Sequence, residues 1–393
     1  MTMNATPSGN RTHIGIFGRR NAGKSSLINA LTGQKLAIVS DIKGTTTDPV
    51  SKAMELLPLG PVVLIDTPGL DDEGELGAKR IEKAMQVLRK TDIALLVADA
   101  AEGLDGADRA LIERIRAMQM PYLVVYNKCD EADCPVEDAQ HSACVSALTG
   151  RGIHALKERI AHLTPEGSEK KLLGDLLSPG DVVVLVVPVD ESAPKGRIIL
   201  PQQQALRDVL DAHATAVVCQ DTDLKRTLEG LGAKPRMVVT DSQAFASVSR
   251  DTPRDVPLTS FSILMARYKG YLDAALRAMP AVEGLADGDT VLIAEGCTHH
   301  RQCNDIGTVK IPRWLRAHSG KDIAIKTCSG TEFPDDLSEF KLVIHCGGCM
   351  LNEREVLYRM REAERQGVPF INYGLLIAHM QGILERAIEV LPK

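Results

Sequence analysis

The apolar run His13–Gly18, HIGIFG, passes directly into Gly18-Arg19-Arg20-Asn21-Ala22-Gly23-Lys24-Ser25 and then into the helix-like SSLINALTG. A GxxxxGKS spacing set between a strand and a helix restricts the chain to one kind of scaffold. The end of a buried strand must deliver backbone N–H groups to an anion at a helix N-terminus. Glycines let those amides turn inward around a β-phosphate, Lys24 neutralises β- and γ-phosphate oxygens, and the Ser25 hydroxyl ligates magnesium. Asn21, Ala22, Gly23 and Ser26 complete the expected phosphate cradle.

Three further motifs follow in the order such a scaffold needs. Asp66-Thr67-Pro68-Gly69 ends the apolar strand VVLID, placing a carboxylate where it can hold magnesium through water and the Gly69 N–H where it can face a γ-phosphate. Asn127-Lys128-Cys129-Asp130 follows the strand YLVVY, and a carboxylate at Asp130 can accept from both N1–H and the 2-amino group of guanine, donors that adenine does not offer there. Ser146-Ala147 fits a loop whose backbone contacts the guanine oxygen. Together these residues predict binding and hydrolysis of GTP. The wording resembles the Era and tRNA-modification branch of GTPases, above all in AIVSDIKGTTTDPV, which is similar to their first switch loop. That resemblance implies that Thr46 is the magnesium-binding switch threonine, and that Lys24, Thr46, Asp66 and Gly69 form the hydrolytic set. The branch commonly reads GTTRD where this chain has Gly44-Thr45-Thr46-Thr47-Asp48, so no role of that arginine carries over. Leu70 follows Gly69 and has no group to orient a water, unlike the glutamine of Ras-type enzymes. Members with asparagine at the position of Asn21 recruit potassium beside the phosphates, which implies slow, potassium-stimulated hydrolysis here.

Apolar runs alternate with amphipathic stretches along all 393 residues. Continuous rather than alternating apolar strands mean burial on both faces, as in parallel sheets covered by helices. The expected fold class is therefore α/β: a P-loop GTPase domain over residues 1–170, then two further α/β domains with mainly parallel sheets. The second spans 171–268 and carries no nucleophile, base or ligand cluster, which leaves interaction or dimerisation. The third spans 269–393. A net charge of −6 and 12 Phe and Tyr with one Trp argue against dedicated nucleic-acid binding, because neither a basic footprint nor stacking residues are in evidence. No apolar stretch is long enough to span a bilayer, and the start, MTMNATPSGNRTH, lacks the apolar core of a secretory signal. The expected location is cytoplasmic, away from membranes.

Nine cysteines in such a chain are poor material for a disulfide framework and better material for metal ligation or redox chemistry. Cys297-Thr298-His299 follows the strand TVLIAEG, and His345-Cys346-Gly347-Gly348-Cys349 follows KLVI. Both groups sit at C-terminal strand ends, where open parallel sheets bind ligands. Zinc could take Cys297, His299, Cys346 and Cys349 as a Cys3His set. A 4Fe–4S cluster could take the three cysteines and leave one iron open. Spacing alone does not choose between them. His299 and His345 are each a candidate ligand or a support behind one, while Cys303, Cys328 and His300 read as ordinary residues.

A GTPase segment followed by EGCTHHR and then HCGGCM resembles, over essentially the whole chain, the family of FeFe-hydrogenase maturation GTPases (HydF). The resemblance implies a scaffold that is a homodimer through its middle segment. It implies a 4Fe–4S cluster on Cys297, Cys346 and Cys349 with His299 and His345 beside it, and a di-iron precursor delivered to the apo-hydrogenase. It also implies the radical maturation enzymes of that pathway as partners. The rival reading of the residues is a zinc-containing Era-like GTPase acting on RNA or ribosome assembly.

Overall fold

A computed structural model describes residues 8–33, 49–68, 83–135, 138–163, 170–189, 198–296, 305–330 and 332–392. The chain divides into two compact units, residues 1–167 and 168–393.

In the first unit, strands β1 (Thr12–Phe17), β2 (Val50–Leu56), β3 (Gly60–Asp66), β4 (Ile93–Asp99), β5 (Tyr122–Asn127) and β6 (Ser142–Cys144) form one sheet in the order β2-β3-β1-β4-β5-β6. All neighbours are parallel except β2, which pairs antiparallel with β3 at the edge. The burial of β4 and β5 is almost continuous along their length, as expected of strands covered on both faces. Helices α1 (Lys24–Thr32), α2 (Gly106–Ala117) and α3 (Ile153–Leu163) flank the sheet. Two apolar cores result, one containing Ile14, Ile16, Leu27 and Leu64, the other Phe17, Ile65, Leu96 and Val124. Alternate residues of β1 thus point into opposite layers, which is why HIGIFG is apolar at nearly every position.

The strand order reverses direction at β1: later strands add on one side, while β3 lies on the other. The C-terminal ends of β1 and β3 are brought level by the pairing of Ile16 with Asp66, those of β4 and β5 by Asp99 with Asn127, and β6 joins through Tyr126 with Cys144. Ligand crevices in open α/β sheets lie at such a reversal, outside the carboxyl ends of the strands.

The second unit holds two four-stranded sheets. Strands β7 (Val182–Val186), β8 (Thr215–Cys219), β9 (Met237–Thr240) and β10 (Leu258–Ser260) run in the order β10-β9-β7-β8. Strands β11 (Thr290–Glu295), β12 (Ala324–Ser329), β13 (Leu342–His345) and β14 (Phe370–Asn372) run β12-β11-β13-β14. Every pairing in both sheets is parallel. Helices α4 (Leu200–Asp211), α5 (Phe261–Tyr268), α6 (Glu353–Arg365) and α7 (Tyr373–Met380) are among those covering them. One continuous core runs through both sheets, from Val184 and Val239 to Ile293 and Ile344, with the apolar face of α5 in it. Helix α7 is buried over most of its length, which accounts for its uniformly apolar YGLLIA start. Among the described residues no helix is long and apolar enough to cross a membrane.

Candidate functional site

Residues Gly18–Gly23 leave β1 and turn into α1. Asn21 (φ 63°) and Gly23 (φ 88°) both take left-handed backbone conformations. A Cβ at Gly23 would also collide with the side-chain amide of Asn127, so two independent constraints hold that position to glycine. Lys24 is buried, and its Nζ donates to the carbonyls of Gly18 at 2.8 Å and Arg19 at 2.6 Å, which holds the ammonium across the mouth of the loop. Ser25 Oγ donates to Asp66 Oδ2 at 2.8 Å. The second Asp66 oxygen, Oδ1, is buried and has no hydrogen-bond partner among the described residues. Burial raises the pKa of this carboxyl, opposed by the Ser25 bond and the Lys24 charge. A hydroxyl and a half-satisfied carboxylate 2.8 Å apart are the donor set that hydrated magnesium uses in P-loop proteins, so the residues fit the ion.

Asn127 joins the loop of residues 18–23 to the loop that carries Ala147. Its Nδ2 donates to Ala22 O at 3.1 Å, and its Oδ1 accepts from Ala147 N at 3.0 Å, with the side chain only 2 % exposed. Lys128 has φ 64° and pairs with Asp99 at 2.7 Å. Burial works to raise the Asp99 pKa, but Lys128 and the Ala101 N–H outweigh it, so the carboxyl titrates below the usual range. Asp130 is exposed at the loop tip, and the buried Ser146 Oγ accepts from Thr149 N at 3.1 Å, shaping the turn that carries Ala147.

Arg19 and Asp99 were not singled out in the sequence. The Arg19 guanidinium lies 3.1 Å from Glu102, 3.2 Å from Asp108 and 3.6 Å from Asp105, and it donates to Gly103 O at 2.6 Å. It therefore ties the phosphate loop to the start of α2. The only sequence signal was an arginine at a variable position of the motif. Thr46, Gly69 and Leu70 lie outside the described residues.

In the second unit, Ala294 of β11 pairs with His345 of β13, so the chain leaves both strands side by side. Cys346 N donates to Ala294 O at 3.0 Å, and in return Gly296 N lies 3.0 Å and Gly348 N 3.3 Å from Cys346 Sγ as donors. Gly348 has φ 65°, and a Cβ there would press on Val356 at 3.0 Å. The turn between Cys346 and Cys349 thus needs a residue without a side chain. Burial raises the pKa of the Cys346 thiol and pushes that of Cys349 up to about 12, where the neighbouring Cys346 adds to the effect and Lys269 opposes it. Half-buried thiols that meet backbone N–H donors suit ligation by a metal or cluster, whose positive charge replaces the missing solvation. Cys297, Thr298, His299, His300 and Cys303 lie outside the described residues, although Gly296, which touches Cys346, directly precedes Cys297.

His345 is fully buried. Its Nδ1 is 2.6 Å from Cys346 O and its Nε2 is 3.4 Å from Arg359 Nη1, so both ring nitrogens are engaged. The arginine can only donate, which makes Nε2 an acceptor and places the proton on Nδ1. Burial and the Arg359 charge pull the imidazole down to about 3, and it is neutral. Tyr271 Oη donates to the same Cys346 carbonyl at 3.1 Å and accepts from Asn372 Nδ2 at 2.9 Å. Cys328 pairs with Ala294 from the other side of β11, and burial pushes its thiol up to about 11. It lies close enough for the Cys346 charge to contribute to that shift, a placement that required the sheet order.

The first unit, with its phosphate loop, Asp66 and the Asn127–Asp130 loop on one sheet edge, is a P-loop GTPase domain that takes GTP and magnesium. Residues 13–128 match the model described as a 50S ribosome-binding GTPase. Residues 172–270 match the hydrogen maturase F dimerization domain, and 273–390 the hydrogen maturase F tetramerization domain. These last two cover more than half of the sequence, and the chain belongs to the hydrogen maturase F family.

The nucleotide domain is similar to the tRNA modification GTPase MnmE of Thermotoga petrophila, 38% identical over 166 residues, covering 39% of this chain and 36% of that one. The enzyme of the same name from Chromobacterium violaceum is 36% identical over 156 residues, covering 38% and 34%. The chain thus spans about a third of the length of these curated relatives. A crystal structure of Era in complex with MgGDPNP and nucleotides 1506–1542 of 16S ribosomal RNA covers 53% of this chain and 91% of that one, with 22% identity and a TM-score of 0.35. That score is too low to carry an argument.

Proposed function

We propose that this chain is the GTP-dependent scaffold on which the di-iron centre of an FeFe-hydrogenase is assembled and from which it is delivered to the apo-hydrogenase. The observation that carries the reading is the reciprocal contact at the ends of β11 and β13, where Gly296 N meets Cys346 Sγ at 3.0 Å and brings the segment before Cys297 against the Cys346–Cys349 turn. Cys297, Cys346 and Cys349 would hold a 4Fe–4S cluster with His345 supporting Cys346 from behind, and His299 is proposed beside it. When bound, such a cluster with three protein ligands supplies one iron with an open position, suited to holding the cargo through a bridging ligand. The chain's own part is to exclude water, fix the thiolates with backbone donors and release the cargo.

At the nucleotide site, Ser25 and Thr46 would ligate magnesium, Asp66 would hold it through water, and Lys24 and the Gly69 N–H would bind the γ-phosphate. Asn21, Ala22, Gly23 and Ser26 would line the phosphates, Lys128 and Asn127 would shape the base pocket, and Asp130, Ser146 and Ala147 would read guanine. Asn21 would add potassium as a further counter-charge. The matched dimerization and tetramerization models support self-association, and the radical enzymes of the pathway are the proposed further partners. We place the boundaries of the three functional segments at residues 1–170, 171–268 and 269–393, in a cytoplasmic protein. Nucleotide state would change partner affinity rather than drive cluster chemistry. GTP hydrolysis should be faster in potassium chloride than in sodium chloride, and the release rate of the apo-hydrogenase should differ between GTP and GDP. Equal release rates with GTP, GDP and no nucleotide would remove the switch from this account.

A further inference from the structure

Three cysteines meet in the nucleotide domain, far in sequence from the C-terminal group. Cys129 stands between Lys128 and Asp130 of the guanine loop, Cys134 lies five residues on, and Cys144 ends β6 two residues before Ser146. Strands β5 and β6, which flank the loop of Cys129 and Cys134, are locked together, because Tyr126 pairs with Cys144 and Cys129 N donates to Val145 O at 3.1 Å. Cys134 and Cys144 are joined as a disulfide, against the expectation that the cysteines serve other chemistry. Cys129 Sγ lies 2.7 Å from Cys134 Sγ and 3.1 Å from Tyr126 O. All three sulfurs fall within 4.8 Å of one another, and none of the residues is fully buried.

We propose that, once reduced, Cys129, Cys134 and Cys144 form a three-thiolate site for a soft cation of the zinc class, built into the guanine-recognition loops. A disulfide needs two sulfurs, and the third, brought from a separate backbone position to the same point, is what a closed thiolate face requires. Zinc–sulfur bonds of about 2.3 Å set the sulfurs of a tetrahedral site about 3.8 Å apart. The Cys129 and Cys134 sulfurs, now 2.7 Å apart, would separate by about 1 Å to reach that spacing once the disulfide is reduced. Three protein ligands leave the fourth position to water. Arg151, which donates to Cys129 O at 3.3 Å, offsets the excess negative charge of three thiolates around one divalent ion.

The chemistry balances in two steps. A phosphine and water reduce the disulfide to two thiols and leave the phosphine oxide. Zinc then displaces one proton from each of the three thiols and is held by the resulting thiolates, releasing three protons to solvent.

The test uses the full chain, reduced with a phosphine under anaerobic conditions, and alkylation of each cysteine followed by peptide mass spectrometry. Excess Zn2+ should slow alkylation of Cys129, Cys134 and Cys144 together by about tenfold or more, since bound thiolates are withdrawn from the reagent. Unchanged rates, or slowing of one cysteine alone, would overturn the site. A second measurement titrates Co2+ into the full chain carrying Cys346→Ser and Cys349→Ser. Thiolate-to-metal charge-transfer absorption should saturate at one equivalent and vanish when Cys134→Ser is added, with thermal melting confirming that the variant folds. The sulfur band separates this site from Glu283, His318 and His379, which meet at 3.0 and 2.6 Å through nitrogen and oxygen alone. A chain that shows no such band also refutes the proposal.

Discussion

Replacing Asn127 by alanine should disable the nucleotide site although the side-chain amide is fully engaged by protein backbone. The substitution removes the donor to Ala22 O at 3.1 Å and the acceptor for Ala147 N at 3.0 Å. Each such bond contributes about 1 kcal/mol, and a buried group left without a partner costs about 1–3 kcal/mol. The buried Ala22 carbonyl left unpaired costs about 1–3 kcal/mol and the half-buried Ala147 N–H about 1 kcal/mol, so the total comes to about 2–4 kcal/mol. Where the loops relax in the empty protein, the cost falls on binding and weakens GDP by about 30- to 1,000-fold. Where they do not relax, it falls on folding and lowers the melting temperature of a unit of this size by about 4–16 °C. Titration of a fluorescent GDP analogue and thermal melting of the same variant capture both shares. An affinity within threefold of wild type, together with a melting temperature within about 2 °C, would refute the keystone role of this residue.

Two further substitutions test the second unit. Arg359 is fully buried and bonded to Glu355 at 2.9 Å and Gly330 O at 2.6 Å, so Arg359→Leu strands a buried carboxylate at a cost of about 3–5 kcal/mol. Melting should drop by about 6–20 °C, and a drop below about 3 °C would contradict the assigned partners. Burial acts to raise the Asp175 pKa, but its pair with Arg267, 3.0 Å between Nη1 and Oδ1, outweighs this and depresses it below 3.8. The stability from this half-exposed pair, about 1 kcal/mol, is therefore present above pH 3.8 and lost as pH falls through the lower folded-state value. Asp175→Asn should melt about 2–4 °C below wild type near neutrality, and the gap should narrow as pH falls below 3.8, being smallest at the lowest pH at which the protein stays folded. A gap of equal size across that range would rule the ion pair out as its source.

Much of the nucleotide site was legible because its chemistry is local. The backbone of Gly18–Gly23, the Ser25 hydroxyl and the Asp66 carboxylate act where their own strand ends, and strand ends are visible as apolar runs that stop. Pairing across the sheet was not legible. Arg19 reaches Asp108, and Lys128 reaches Asp99, only because β4 lies between β1 and β5. The same holds for Cys328, an unremarkable strand residue until β12 is set beside β11. For His345, the sequence offered either ligation or support. The buried Arg359 aimed at its Nε2 comes from a helix turn 14 residues later, and its effect on the imidazole depends on an absence of solvent that no local pattern records. The Cys129–Cys134–Cys144 convergence likewise needed the β5–β6 register, and the sequence pointed to the C-terminal cysteines instead.

Anaerobic iron, sulfide and zinc analysis, with EPR of the dithionite-reduced protein, tests the scaffold account most directly when wild type is compared with Cys346→Ala. The account predicts about four irons and four sulfides per chain in wild type, with a reduced-cluster signal that the variant loses. Stoichiometric zinc in place of iron and sulfide, reproduced after anaerobic reconstitution, would contradict it.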